Sequence, residues 1–206
     1  MESRITFNSG TLKLEGQINP LSRTLGAVIT HPHPLYGGDL SSPVVESIAM
    51  SYANKGITTL RFNFRGVGES EGKHDEGRAE RQDVLAAIEL LRDSGIQHIH
   101  LAGYSFGSWV NAQVASLPPE VSALVMVAPP VALLDYAQVP QQPLLQTVLT
   151  GSEDEYAPPD LIRRYIPSWN PSASLIIIDD ADHFFYGRFR QLEEALAANI
   201  SFKPGK

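Results

Sequence analysis

The chain has 206 residues, 43% of them apolar, enough for one substantial domain with a buried core. Its 16 basic and 23 acidic residues give a net charge of −7, which disfavours nucleic acid and anionic membrane surfaces as partners. With no cysteine present, disulfide scaffolds, thiolate zinc sites and cysteine nucleophiles are excluded.

In chain order, Arg4–Asn8 and Thr11–Ile18 flank the turn signal Ser9-Gly10 and predict an antiparallel hairpin. Further β-type runs follow at Ala27–Thr30, Thr58–Phe64, His98–Tyr104, Ala123–Ala128, Gln146–Thr150 and Ser174–Ile178. Several are continuously apolar, as suits parallel strands covered on both faces. Between them, Ser42-Pro43 can cap and start a helix running to Asn54, with Gly56 as its stop. Val84, Ala87, Ile88 and Leu91 fall at helical spacing between Glu80 and Asp93, with Gly95 closing the segment. Another helix is expected over Ser108 to Ala115, and a last one from Phe189 to Ile200. Alternation of this kind builds an open α/β sheet, and no repeat or linker divides residues 1–206, so one domain is expected. The first twenty residues lack the apolar stretch of a secretory signal, and the richest apolar window, Ala123 to Leu134, is broken by Pro129-Pro130. A soluble cytoplasmic protein is the expectation.

Ligand sites in open α/β sheets form beyond the carboxyl ends of the strands, so the loops that follow each strand matter most. After His98–Tyr104 comes Gly103-Tyr104-Ser105-Phe106-Gly107, then helix-compatible sequence. A serine hydroxyl is a poor nucleophile unless it is exposed, strained and beside a base, and a G-x-S-x-G turn between strand and helix supplies the exposure. When the nucleophile sits on such an elbow, its acid and base follow it in the chain. Of six histidines only His183, in Asp182-His183-Phe184-Phe185, comes after Ser105. The carboxylate that orients this histidine is sought in Glu153-Asp154-Glu155, after the strand Gln146–Thr150. Asp154 is favoured, with Glu153 and Glu155 as alternatives.

A tetrahedral intermediate needs two donors, one of them the amide after the nucleophile, here Phe106. The second is sought in His31-Pro32-His33-Pro34-Leu35-Tyr36-Gly37-Gly38, where Pro32 and Pro34 have no N–H. That leaves His33 or Leu35, and His33 is the choice. Two other readings of these letters are weak. His31-x-His33 and His98-x-His100 could each offer two imidazoles to zinc, but no carboxylate pattern completes either pair. Gly66-Val67-Gly68 lacks the third glycine of a dinucleotide fingerprint, because Glu71 stands there.

The HPHPLYGG turn, the RFNFRGVGESEG loop (Arg61 to Gly72), the GYSFG elbow and the ADHFF segment together resemble the α/β-hydrolase superfamily over nearly the whole chain. Within it they resemble the small single-domain serine hydrolases related to dienelactone hydrolases and to peptidase-like members. The resemblance implies an eight-stranded, mostly parallel sheet with helices on both faces, with Ser105 as nucleophile, Asp154 as acid and His183 as base. Many members insert a helical cap after the sixth strand. Here the corresponding interval, Pro129 to Leu145, is short and holds Pro129, Pro130, Pro140 and Pro143, so an open, shallow pocket with little or no cap is expected. Dienelactone hydrolases often use cysteine, so the serine here argues against that particular reaction.

The expected function is hydrolysis of a small-molecule carboxylic ester or thioester through an acyl-enzyme, without metal or organic cofactor. Leu35, Tyr36, Tyr104, Phe185 and Tyr186 are the candidate pocket residues by position. An amidase or peptidase is the nearest alternative within the enzyme class, and a binding module without turnover is the alternative outside it.

Overall fold

The computed structural model describes residues 2–114 and 118–202. Eight strands form one sheet: β1 (Ser3–Ser9), β2 (Leu12–Asn19), β3 (Leu25–Thr30), β4 (Thr58–Phe62), β5 (His98–Tyr104), β6 (Val121–Val127), β7 (Leu145–Gly151) and β8 (Ser174–Ile178). Their order is β1-β2-β4-β3-β5-β6-β7-β8. The opening hairpin turns at Gly10, whose φ of 60° suits a residue without a β-carbon. β1 and β2 pair antiparallel, and β2 meets β4 antiparallel. From β4 onward every pairing is parallel.

Parallel pairing requires crossovers, and among the described residues five helices are involved: α1 (Pro43–Ala53), α2 (Glu80–Asp93), α3 (Phe106–Ala112), α4 (Pro159–Trp169) and α5 (Phe189–Asn199). α1 packs against α5 and α2 against α3, while α1 and α2 both contact β3 and β4. Strands covered in this way cannot alternate apolar with polar, which explains why β4 is buried at every position. In α2, the residues read at helical spacing, Val84, Ala87, Ile88 and Leu91, are fully buried. Gly56, at φ 73°, ends the turn after α1.

Three details depart from expectation. Ser42 stands at the N-cap of α1, but its hydroxyl accepts the Asp39 amide at 3.2 Å and caps nothing. α3 ends at Ala112, and Ala115, to which this helix was expected to run, lies outside the described residues. α4 has no counterpart in the sequence reading. Its start at Pro158-Pro159 and its internal Pro167 look like breakers, yet Pro159 sits in the first turn, where no N–H is needed. Ile162 and Trp169 are buried, and Tyr165 stacks on Trp169 at 5.2 Å, so packing holds the helix. Between β6 and β7, residues 128–144 run as turns and contain no cap helix.

Candidate active site

The strand β5 delivers Ser105 to the carboxyl edge of the sheet, and α3 begins at the next residue. Ser105 has φ 52° and ψ −120°, a conformation that costs a non-glycine residue about 1–3 kcal/mol. Close approach explains the glycines on either side. A β-carbon on Gly103 would lie 2.6 Å from the Ser108 nitrogen, and one on Gly107 would lie 2.7 Å from the His31 carbonyl oxygen.

Ser105 Oγ is 2.9 Å from His183 Nε2, although the two residues are 78 positions apart. On the far side of the ring, His183 Nδ1 lies 2.9 and 3.0 Å from the two Asp154 oxygens. Asp154 Oδ1 also accepts the amides of Tyr156 at 2.9 Å and Ala157 at 2.7 Å, which fixes the carboxylate in place. Asp154 is buried, whereas Glu153 and Glu155 are exposed, so Asp154 is the acid of the three that reaches His183. The loop that carries His183 is tied down by Tyr104, whose hydroxyl donates to the His183 carbonyl at 3.0 Å. Tyr156 and Phe184 stand edge-on to the imidazole at 5.0 and 5.5 Å between ring centroids.

The histidine-rich turn after β3 closes the other side. His31 is buried and both of its ring nitrogens face backbone: Nδ1 donates to the Pro32 carbonyl at 2.7 Å, and Nε2 accepts the Phe64 amide at 3.0 Å. Burial pulls its pKa down to about 4. His33 begins a single 3-10 turn over Pro34–Tyr36, and its Nδ1 accepts the Leu35 amide at 3.3 Å. Leu35 N–H, one of the two candidate amides in this turn, is thereby occupied within the turn itself. The His33 ring lies 4.7 Å from that of Phe106 and 5.0 Å from that of His74. Burial and then the neighbouring His74 hold His33 below the ordinary histidine value. Nothing in the spacing of the sequence signals His74, which pairs with the buried Glu80 at 2.9 Å.

Of these groups, His33, Ser105, Phe106 and His183 open onto one cleft of about 790 Å³. Tyr36, Tyr104 and Tyr186 line it as well. Two sequence candidates do not. Leu35 is 69% exposed and points out of the cleft lining, because the 3-10 turn rotates it away from Tyr36. Phe185 is fully buried at φ 56°, and its neighbour Phe184 lines the cleft instead. Leu133, Leu134 and Tyr156 also face the cleft; they come from turns whose spacing carries no signal.

A family model described as the alpha/beta hydrolase fold matches residues 33–151. Among solved structures, an alpha-beta serine hydrolase homologue from Coxiella burnetii superposes with a TM-score of 0.88 at 32% identity, covering 97% of each chain. An a/b serine hydrolase without a lid from Xanthomonas campestris gives 0.87 at 28% identity, covering 96% of this chain and 93% of its own. An uncharacterized protein of Rickettsia prowazekii is 31% identical across 94% of this chain and 86% of its own length.

Proposed function

This chain belongs to the alpha/beta hydrolase fold family and is a hydrolase of that kind; we propose that it cleaves small-molecule carboxylic esters or thioesters through an acyl-enzyme on Ser105. The observation that carries the reading is the unbroken chain of contacts from Ser105 Oγ through His183 to Asp154, at 2.9 Å and then 2.9–3.0 Å, at the floor of an open cleft.

In this reading His183 Nε2 takes the hydroxyl proton as Oγ bonds to the carbonyl carbon. The Phe106 and His33 amides hold the oxygen that becomes negative. Collapse of the tetrahedral intermediate breaks the bond to the leaving oxygen or sulfur, which receives the same proton from Nε2. Water then repeats the sequence at the acyl carbon, giving up its proton to His183 and releasing the acid. Asp154 keeps the imidazole in the tautomer with Nδ1 protonated and stabilises the imidazolium formed twice per cycle. Every step is supplied by side chains and amides of this chain.

Labelling with a fluorophosphonate probe tests the reading. The wild-type protein should label at one site and hydrolyse nitrophenyl acetate, and Ser105→Ala should do neither. A wild-type protein that does not label would make the chain a binding module on a hydrolase fold. Turnover of anilides at rates near those of the matching esters would shift the assignment to an amidase.

A further inference from the structure

The lining of the cleft narrows what such a hydrolase accepts. Among the described residues, none that lines it is Asp, Glu, Lys or Arg. The nearest following cation in the His183 loop, Arg188, is engaged by Asp180 and by the Asp179 carbonyl. Asp154 lies directly behind the base, and Asp182 Oδ1 accepts the amides of Phe184 and Tyr186 beside it. A carboxylate on the substrate would lose its water here, meet no cation and face buried negative charge. The chain's net charge of −7 opposes its approach as well.

The apolar surface is equally particular. Among the described residues, five of the eight large apolar side chains that stand exposed line the cleft: Tyr36, Leu133, Tyr156, Phe184 and Tyr186. Clustering of this kind marks a binding surface, whereas single exposed apolar residues do not. Phe184 and Tyr186 stack on one another with ring centroids 5.7 Å apart and planes 27° apart. On the oxyanion side Tyr36 packs 5.0 Å from His33. Aromatic walls therefore stand on both sides of the Ser105 hydroxyl.

We infer that the substrate is an uncharged ester carrying an aromatic ring, seated against Phe184 and Tyr186 while its carbonyl lies over Ser105. This rests on the hydrolase reading above and adds a selectivity to it. A flat ring gains edge and face contacts on such walls that a saturated ring of the same size does not make.

Three methyl esters separate the contributions: methyl 3-phenylpropanoate, its cyclohexyl analogue, and the phenyl compound bearing a para carboxylate. The phenyl ester should exceed the cyclohexyl ester in kcat/KM by about 2- to 10-fold. The carboxylate should lower kcat/KM by about 10-fold or more, as for a buried polar group left without a partner. Leu133→Arg, which places a cation on the exposed rim, should recover about 2- to 5-fold on the anionic ester. Equal rates on the neutral and anionic esters, or preference for the cyclohexyl compound, would overturn the selectivity and leave the hydrolase standing. Labelling of Ser105 without turnover of any of the three would do the same. Absence of both labelling and turnover would overturn the hydrolase reading itself.

Discussion

The imidazole of His31 donates from Nδ1 to the carbonyl of Pro32 at 2.7 Å. That carbonyl belongs to the same peptide plane as the His33 N–H, so a ring anchored at one edge of the plane sets the direction of the amide at the other. The anchor is itself fixed, since His31 Nε2 accepts the Phe64 amide at 3.0 Å. Both bonds need a neutral ring with its proton on Nδ1, and burial, which lowers its pKa to about 4, keeps the ring neutral.

If His33 N–H serves as the second oxyanion donor, His31 is a positioning residue for the transition state. Loss of an entire oxyanion donor costs about 100- to 1,000-fold in kcat, and loss of its anchor should cost a fraction of that, about 10-fold. His31→Leu should lower kcat by this factor and weaken a boronic acid inhibitor in parallel, with little change in KM. His31→Gln, whose amide can donate and accept, should recover part of both. A variant in which KM rises instead, with boronic acid affinity unchanged, would make His31 purely structural.

For Asp154→Asn, the Tyr156 and Ala157 amides retain an acceptor at Oδ1, so the loop should survive. The side-chain amide cannot hold His183 in the tautomer with Nδ1 protonated, and kcat should fall by roughly 10⁴-fold. Ester turnover beside an unchanged circular dichroism spectrum checks this. Retention of more than a tenth of wild-type kcat would remove Asp154 from the proposed mechanism.

How far the sequence discloses this site depends on how local each signal is. Ser105 and His183 are legible because the elbow is a contiguous motif and chain order leaves a single histidine after it. Asp154 is ambiguous in sequence, since Glu153 and Glu155 have the same chemistry. The choice is made by a turn that buries the middle residue and exposes its neighbours. Strand runs such as β4 announce themselves through continuous burial, whereas α4 hides because its prolines fall where the helix tolerates them and its support is tertiary. Leu35 and Phe185 illustrate the same boundary. Whether a side chain two positions from a proposed site residue faces the cleft depends on loop dihedrals, such as the φ of 56° at Phe185, that residue types do not encode.

Stability should fall on mild acidification because His31 and His100 are both buried with pKa values lowered from 6.5 to about 4. Each native ring stays neutral while its unfolded counterpart gains a proton, so the unfolded state binds more protons between about pH 6.5 and pH 4. The stabilisation is present above pH 6.5 and is lost as the pH falls through that window. At pH 5 each histidine should have removed about 2 kcal/mol relative to pH 7. Urea unfolding of wild type and His100→Gln at the two pH values measures this. His100 lies away from the cleft, stacked at 3.7 Å on Phe202, so its variant should show a shallower loss. An equal loss in both proteins would assign the acid sensitivity to other groups.

The backbone of Ser105, the proposed nucleophile, sets catalysis against stability. At φ 52° and ψ −120°, Ser105 occupies a region that glycine enters freely and other residues enter at a cost of about 1–3 kcal/mol. Ser105→Gly removes that strain along with the hydroxyl, at an entropic cost from the unfolded chain of about 0.5–1 kcal/mol. The variant should therefore be inactive yet at least as stable as wild type, while Ser105→Ala, which keeps the β-carbon, should gain less. Thermal unfolding of the three proteins decides it. If Ser105→Gly were the least stable, the elbow would be held by contacts of the serine side chain, chiefly the 2.9 Å bond to His183, and the positive φ would carry no stored strain.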